Sequence, residues 1–322
     1  MRVLVTGSSG HLGETLMRLL DKTEHEAVGV DLVASRWTTH VGSIADPAVV
    51  ADCMNGIDAV MHTATLHKPH VATHTKQDFI DVNVTGTLNL LEQAVASGVS
   101  RFIFTSTTSV FSRRCNPGPD EPSVWVTEEL TPLPKNIYGV TKLSAEGLCE
   151  LFHFRTGLPC LVLRTSRFFP EEDDRASVRE EYSADNAKLN ELLYRRVDIG
   201  DAARAHLRAM ERAPDIGFGR YIISATTPFS PCDVQALRDD ARVVLENCVP
   251  FQAEYASRGW EMPRDIARVY VNTRAREELG WRPRVDFSEG LSRVQAGERL
   301  FGSLTYEVGS KGYHSRVFEG GP

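Results

Sequence analysis

Three glycines lie in the short segment that joins the first apolar run of the chain to its first helical stretch. The run covers residues 2–5, the segment reads TGSSGHLG over residues 6–13, and apolar residues at helical spacing follow as far as residue 20. Glycine permits a tight turn, opens backbone N–H groups to a ligand and lets the helix pack closely on the strand. The N-terminus of a helix also favours negative charge. The segment therefore predicts a strand–turn–helix unit that binds a diphosphate.

A carboxylate follows this unit at the distance expected for a dinucleotide site. Asp31 ends the second apolar run, eighteen residues beyond Gly13. An acid about 20 residues past the glycine turn holds the ribose hydroxyls of NAD and repels the 2′-phosphate of NADP. Asp31 therefore favours NAD, although Arg36 is close enough in sequence to soften this preference. The simpler alternative is a glycine turn without a ligand, with Asp31 capping a strand.

Short aliphatic runs alternate with helical stretches along the first two thirds of the chain. The runs occupy residues 3–5, 27–30, 59–61, 102–104, 161–163 and 221–223. Runs that are apolar throughout predict strands covered on both faces, and the helical spacing over 82–96 and 137–154 predicts helices between them. Strands that alternate with helices form a parallel sheet with helices on both faces.

We therefore expect an α/β fold: a Rossmann-type doubly wound parallel sheet with a small C-terminal substrate cap. The 322 residues give room for both parts. We expect the NAD-binding domain to cover residues 1–168 and to be rejoined by 195–225. Residues 169–194 and 226–322 would then form the substrate-binding cap and the tail.

Composition argues against several classes of protein. The net charge is −7 and no basic tract is present, which makes nucleic acid a poor partner. No stretch of about 18 apolar residues occurs and the N-terminus does not read as a signal peptide. We therefore expect a cytoplasmic protein without a membrane partner. The six cysteines lie far apart with no Cys-x-x-Cys pair, which argues against a zinc ribbon or a disulfide scaffold.

Hydroxyl side chains crowd the end of the run at 102–104. Residues 105–109 read TSTTS, at the edge where open α/β sheets bind ligands. Further along, Tyr138 and Lys142 are four residues apart, so they share one face of the predicted helix. A free tyrosine has a pKa of about 10, and a nearby positive charge lowers it. Tyr138 is therefore a candidate proton acceptor, the alternative being an ordinary surface pair.

Taken together in this order, the motifs resemble the extended short-chain dehydrogenase/reductases. The similarity is to the NAD-dependent epimerase/dehydratase family in particular, which includes the sugar 4-epimerases. It also rests on HTAT at residues 62–65, NVTGT at 83–87 and REELGWRP at 276–283. The matching segments thus span nearly the whole chain.

The resemblance implies roles for the residues at the hydroxyl-rich end. Tyr138 would move the proton of a substrate hydroxyl, and Lys142 would hold the nicotinamide ribose and tune Tyr138. Thr107 would hydrogen-bond the substrate oxygen, with Ser106 and Thr108 as alternatives because neighbouring strand residues face opposite sides.

The resemblance also implies which residues hold the two ligands. Asn83 would support the site, and Ser43 stands where the family often has an adenine-contacting Asp. The NAD-binding set consists of Gly7, Ser9, Gly10, His11, Leu12, Gly13, Asp31, Ser43, Ile44, Thr63, Ala64, Thr65, Asn83, Tyr138 and Lys142. The candidate substrate contacts are Lys68, Thr108, Arg167, Arg195 and Arg264.

The arginines in that set indicate an anionic substrate, because guanidinium groups suit a carboxylate or a phosphate. Arg258 is an alternative to Arg264. A simpler interpretation is that these arginines form surface ion pairs with the acidic run at residues 171–174.

Two activities are compatible with the sequence. The resemblance implies an epimerase-type exchange of hydride with a sugar or nucleotide-sugar carbon, as in a UDP-sugar 4-epimerase. The stretch 168–194 is short, however, and lacks the Gly-Asp-Gly of nucleotide-sugar enzymes, while residues 164–171 resemble the uronate dehydrogenases. The alternative is therefore an NAD-dependent dehydrogenase of a free aldose or uronic acid. An inactive NAD-sensing interaction protein is less favoured.

The family resemblance further implies a homodimer, since the helix with Tyr138 often packs against its mate. Leu148, Leu151 and Phe152 would then lie in the interface.

Three histidines follow the run at 59–61 unusually closely. His67, His70 and His74 could bind zinc with an open position. However, Pro69 interrupts any helix before His70, and no carboxylate joins the group locally. Contact with substrate or cofactor is favoured, and we expect no metal.

Overall fold

Seven parallel strands form the centre of the protein. The computed structural model describes residues 1–173 and 176–311. The strands of the sheet are β1 (Arg2–Thr6), β2 (Glu26–Asp31), β3 (His40–Val41), β4 (Ala59–His62), β5 (Arg101–Thr107), β7 (Cys160–Thr165) and β8 (Phe218–Ile223). A separate pair consists of β6 (Val124–Val126) and β9 (Arg268–Tyr270). Every pairing is parallel, which confirms the predicted fold class.

Helices connect the strands and cover both faces of the sheet. They are α1 (His11–Leu20), α2 (Pro47–Cys53), α3 (Lys76–Ile80), α4 (Gly86–Ala96), α5 (Ile137–Thr156), α6 (Ala176–Glu181), α7 (Ala184–Leu192), α8 (Ile199–Ile216), α9 (Ala236–Glu246), α10 (Gln252–Arg258), α11 (Thr273–Glu278), α12 (Phe287–Gln295) and α13 (Ser303–Val308). Short 3-10 turns lie at Lys68–Ala72, Thr108–Phe111 and Pro231–Asp233. Within the described part of the chain, no helix is both long and apolar enough to cross a membrane.

The strand order creates a crevice at one edge of the sheet. The order is β3-β2-β1-β4-β5-β7-β8, so the chain moves outward in one direction from β1 and in the other from β4. The loops after β1 and β4 therefore part from each other at the carboxyl ends of these two strands. Ligands of open α/β sheets bind at such a reversal.

Alternate strand residues pack into two different cores, which explains the unbroken apolar runs. Val3 and Val5 face α1 and α8, whereas Leu4 faces the side covered by α2, α4 and α5. Trp281, from the predicted REELGWRP segment, belongs to the first of these cores. Its indole Nε1 donates to the carbonyl oxygen of Asp201 at 3.1 Å, so this segment has a packing role.

A third core lies outside the sheet. It joins α7 to α9, α10 and α12 through apolar side chains, among them Leu189, Leu192, Leu245, Phe251 and Phe287. These segments come from the stretches that the sequence assigns to the substrate cap.

The helix predicted over 82–96 differs from the structure at its start. Asp81–Thr85 form a single π-helical turn before α4 begins at Gly86. Within α4, Leu90, Leu91 and Ala94 are buried while Val95 is exposed. By contrast, α5 runs as predicted from the cap of Asn136, which accepts from the N–H of Gly139, to Gly157, whose φ is 76°.

Candidate active site

A cavity of about 1210 Å³ opens at the carboxyl edge of the sheet. Its walls come from the β1–α1 turn, the end of β2, the loops after β4 and β5, the start of α5 and the third core. Two regions that are remote in sequence, the glycine turn and the cap, thus enclose one space.

The glycine turn has no room for side chains. A Cβ on Gly13 would lie 1.8 Å from the carbonyl oxygen of Gly7, and a Cβ on Gly7 would lie 2.9 Å from the backbone of Ala64. Gly7 also has a φ of 70°, which side chains disfavour. The bare turn and the N-terminus of α1 form a cradle open to the cavity, which fits a diphosphate.

Asp31 is fixed beside this cradle. Its Oδ2 accepts from the backbone N–H of Ser9 and its Oδ1 from that of Val33, both at 2.9 Å. The carboxylate lines the cavity, whereas Arg36 does not and stacks over the ring of Trp37 at 4.3 Å. The geometry of Asp31 therefore fits the ribose of NAD. The side chain of Arg36 does not offset this preference for NAD over NADP.

His62 anchors the loop after β4. Thr87 donates its hydroxyl to the carbonyl oxygen of Asn83, so it accepts from Nε2 of His62 at 2.9 Å. The other ring nitrogen then accepts from the hydroxyl of Thr6 at 2.7 Å. Burial, and the charge of a nearby lysine, hold the pKa of His62 well below its usual range. His62 is therefore a neutral histidine with a fixed tautomer that holds the hydroxyl of Thr6. The N–H groups of residues 63–64 also donate to this hydroxyl, so His62 positions the start of the loop.

Asn83 joins three elements from the π-helical turn. Its Oδ1 accepts from the hydroxyl of Thr65 and the N–H of Leu66, and its Nδ2 donates to the carbonyl of Leu66 and to Thr141 on α5. The amide is buried and does not line the cavity. Asn83 is therefore a positioning residue.

Thr107 and Tyr138 meet at the cavity wall. Both side chains line the cavity. Burial raises the pKa of Tyr138 to about 12, and the Thr107 hydroxyl opposes this rise.

Lys142 is expected from the sequence to lower the pKa of Tyr138, which burial raises here. Its Nζ lies over the ring of Phe104, 4.0 Å from the centroid, and the side chain is fully enclosed. Burial lowers the pKa of Lys142 to about 7, although Cys149 and Glu146 favour the charged form. Desolvation of both groups thus outweighs any attraction between them.

The two alternatives to Thr107 point elsewhere. Ser106 donates to Glu146 at 2.5 Å, and this carboxylate forms a buried ion pair with Arg164. The hydroxyl of Thr108 opposes the rise that burial causes in the pKa of Tyr270. Of the three hydroxyls, that of Thr107 is the one that favours the phenolate of Tyr138.

At the cap end, two predicted arginines line the cavity. Arg167 and Arg195 both contact Asp173, at 2.8 and 3.1 Å, and Arg195 also pairs with Glu191. Burial opposes ionisation of Glu191, yet the surrounding guanidinium groups, including Arg196 at 2.7 Å, hold its pKa well below its usual range. The ion pairs with the acidic run thus exist, but they form part of the cavity wall.

The structure corrects the prediction that Arg264 contacts the substrate. It is exposed and does not line the cavity, and its alternative Arg258 bonds to Glu254 and to the carbonyl of Val294 on the cap. Arg268, four residues further on at the start of β9, lines the cavity instead.

Sequence reasoning missed Glu191, Arg268 and Tyr270. For Glu191 a signal existed, since Arg195 follows it by one helical turn, a common ion-pair spacing.

The predicted histidine cluster lies at the mouth of the cavity. His67, His70 and Lys68 line it, and the ring of His67 stacks on Phe169 at 5.2 Å. His74 does not line it. In the described ranges, no three His, Cys, Asp or Glu side chains are grouped to hold a metal ion.

The cap connection and the C-terminal segment meet the glycine turn. Nε2 of His11 lies 2.6 Å from a carboxylate oxygen of Glu171, which also accepts from the N–H of Lys311. Burial disfavours the Glu171 carboxylate, but His11 and Lys311 lower its pKa overall. The ammonium of Lys311 bonds to Glu14 on α1 at 2.5 Å.

Most of the predicted ligand contacts therefore surround one cavity. Those lining it are Gly7, Ser9, Gly10, His11, Leu12, Gly13, Asp31, Ser43, Ile44, Thr63, Ala64, Thr65, Lys68, Thr107, Thr108, Tyr138, Arg167 and Arg195. Asn83 and Lys142 lie behind the wall, and Arg264 lies outside it.

A family model described as the NAD dependent epimerase/dehydratase family matches residues 3–223. The match covers more than half of the chain. The chain belongs to this family. The NAD-dependent epimerase/dehydratase family consists of enzymes that use NAD, and the cradle and Asp31 fit this cofactor.

Known proteins of the family differ in reaction. The L-arabinose 1-dehydrogenase (NAD(P)(+)) of Haloferax volcanii is 28% identical, over 70% of this chain and 88% of that protein. The dTDP-glucose 4,6-dehydratase of Streptomyces antibioticus is 28% identical over 91% of each chain. The crystal structure of UDP-glucose 4-epimerase from Thermotoga maritima aligns with a TM-score of 0.63 and 24% identity, covering 90% of this chain and 96% of that one.

Proposed function

We propose that this enzyme uses NAD to exchange a hydride with a carbon of a sugar or nucleotide sugar, as an epimerase does. The observation that carries the proposal is that Thr107 and Tyr138 line the same cavity as the glycine cradle, with the Thr107 hydroxyl favouring the phenolate of Tyr138. The three relatives described above act, by name, on sugars or nucleotide sugars.

Each polar group has a part in this proposal. NAD supplies the hydride acceptor and donor when bound. Thr107 orients the substrate hydroxyl, and Tyr138 takes its proton as the carbon is oxidised. The raised pKa of Tyr138 means that a positive charge must favour the phenolate, and Lys142, one helical turn away, is the candidate. Asn83 and His62 hold the neighbouring loop in place.

A dehydrogenase acting on a free aldose or uronic acid is the second candidate. Arg167 and Arg195 on the cap wall favour an anionic sugar, and the arabinose dehydrogenase is a relative. The two candidates differ in whether the oxidised sugar leaves. An epimerase keeps it and regenerates NAD, whereas a dehydrogenase releases it with NADH.

The division of the chain is part of the proposal. Residues 1–168 with 195–225 would bind NAD, while 169–194 and 226–322 would bind the substrate. The third core, which joins α7 to α9, α10 and α12, supports a separate cap.

We also propose a homodimer through α5. Leu151 and Phe154 on this helix are exposed apolar side chains, Phe154 to 83%. Sedimentation of the wild type and of Phe154→Ser measures the assembly, and a monomeric wild type would refute this part.

The reaction is tested on protein purified without added cofactor. Acid release identifies any bound nucleotide, and NADH absorbance is followed with uronic acids, aldoses and UDP-sugars, whose products are analysed for epimers. Retained NAD with epimerised sugar and no net NADH supports the epimerase. NADH formed from a free sugar supports the dehydrogenase.

Tyr138→Phe provides the decisive variant. Loss of the acid–base hydroxyl lowers turnover by about 10²- to 10⁴-fold, while NAD affinity stays within a few fold. Tyr306→Phe, which does not line the cavity, is the matched control. Full turnover by Tyr138→Phe would refute the mechanism.

A further inference from the structure

Arg268 brings a positive charge to the cavity wall that no described carboxylate balances. It lines the cavity from strand β9 and is half-buried. No carboxylate of the described residues lies within ion-pair distance of its guanidinium group. Its Nη1 reaches only the carbonyl oxygen of Cys115, at 3.4 Å, and its buried Nε has no hydrogen-bond partner in the described chain.

The other arginines of the cavity differ from Arg268 in that carboxylates balance their charges, although the buried Nε of Arg195 also has no hydrogen-bond partner among the described residues. Arg167 and Arg195 share Asp173, and Arg195 also pairs with Glu191. Their charges are therefore largely compensated before any substrate binds. Asp265, the acid nearest to Arg268 along the chain, also lines the cavity and pairs with Arg238. A buried donor without a partner is unfavourable, so a site that retains one is suited to receive an acceptor.

Arg268 lines the same cavity as Thr107 and Tyr138. It precedes Tyr270 by two residues on β9, so both side chains lie on one face of the strand. Its guanidinium carbon is 5.8 Å from the centre of the Tyr270 ring. Tyr270 also lines this cavity. A substrate that occupies the cavity from Thr107 to β9 would thus meet Arg268.

We propose that Arg268 binds an oxyanion of the substrate, either the carboxylate of a sugar acid or a phosphate of a nucleotide sugar. The planar guanidinium group offers two parallel N–H donors to such an oxyanion. This inference rests on the proposed function and narrows its substrates to anionic sugars. It also replaces Arg264 with Arg268 as the specificity residue of the cap segment.

The test compares Arg268→Gln and Arg268→Lys with the wild type, all loaded with NAD. Arg242→Gln is the matched control, since Arg242 is an exposed arginine that pairs with Asp240 outside the cavity. One arm measures kcat/KM for glucuronate against glucose and galacturonate against galactose, and the other measures UDP-glucose against glucose. Calorimetric titration with glucuronate and with UDP measures binding without turnover.

The Gln variant is expected to lower the preference for the anionic probe by about 10- to 100-fold in one arm, the effect of losing a charge-assisted hydrogen bond. Binding of that probe should weaken similarly, the Lys variant should lie between, and neutral sugars should change little. The arm in which the preference falls shows whether Arg268 binds a carboxylate or a phosphate. Thermal melting verifies that each variant is folded. If Arg268→Gln does not fold, Arg268→Lys, which retains the positive charge, provides the comparison with the wild type.

Two results would overturn the proposal. One is an unchanged preference and affinity in both arms for the folded variants, and the other is a wild type that binds neither probe at millimolar concentration. Failure of the proposed function looks different, because the wild type then binds an anionic probe but neither reduces NAD nor epimerises any sugar.

Discussion

Replacing Lys142 with methionine should make the cofactor-free protein more stable while removing its activity. The ammonium group lies in a closed apolar environment against Phe104. Burial lowers the pKa of Lys142 from its ordinary 10.5 to about 7, which means that folding disfavours the charged form. Methionine has a similar length and packs against an aromatic ring without a charge to desolvate.

The magnitude follows from these two pKa values. Between them the unfolded chain binds one more proton than the folded chain, so the stability of the wild type rises with pH. The buried ammonium costs about 4 kcal/mol at about pH 7 and about 2 kcal/mol at about pH 9. The contact with Phe104 returns about 1–2 kcal/mol while the group is charged. Lys142→Met should therefore be more stable than the wild type by about 2–3 kcal/mol at about pH 7.

Urea unfolding of both proteins, stripped of nucleotide, measures the difference. The advantage of Lys142→Met should be largest at about pH 6 and should shrink as the pH rises from about 7 toward about 10, because the folded wild type then holds the group uncharged. An advantage that is independent of pH, or a less stable variant, would refute this reasoning. NAD must be absent, because a ligand bound only by the folded wild type would mask the effect.

Three further substitutions test the cofactor side of the cavity. Asp31→Ala should weaken NAD binding about 10- to 100-fold, measured by fluorescence titration, because the ribose hydroxyls lose their charged acceptor; unchanged affinity would exclude Asp31 from the site. Asn83→Ala should lower the free energy of unfolding in urea by about 3 kcal/mol, because it removes four hydrogen bonds of a buried amide. Asn89→Ala, at a half-buried position, is the control, and a smaller loss for Asn83→Ala than for this control would contradict the positioning role of Asn83. Gly13→Ala should abolish NAD binding because its Cβ would overlap Gly7, whereas Gly147→Ala, with no atom near its Cβ, should be stabilising by about 0.5–1 kcal/mol.

The parts of the site that the sequence predicts are local. The glycine turn and Asp31 are separated by one helix, and Tyr138 and Lys142 by one helical turn, so their spacing alone determines which side chains meet. The apolar runs predict the sheet because each strand is buried on both faces. The structure confirms this fold class.

The remaining features depend on long-range packing. Arg264 and Arg268 are equivalent in sequence terms, and the pairing of β9 with β6 decides which one faces the cavity. The four bonds of Asn83 require a π-helical turn that no local pattern indicates. The position of the Lys142 ammonium over Phe104 depends on a side-chain conformation, and the pKa of Tyr138 is raised because the fold buries the phenol.

The third core sets the order in which the protein can assemble during synthesis. Leu189 and Leu192 on α7 pack with Phe287 and Leu300, about a hundred residues later in the chain. Strands β1 to β7 are complete by Thr165, well before those partners leave the ribosome. Long-range contacts of this kind form late and slowly. We therefore expect the nucleotide cradle of the nascent chain to form first. The part of the cavity that determines substrate specificity should form only after the last third of the chain has been made.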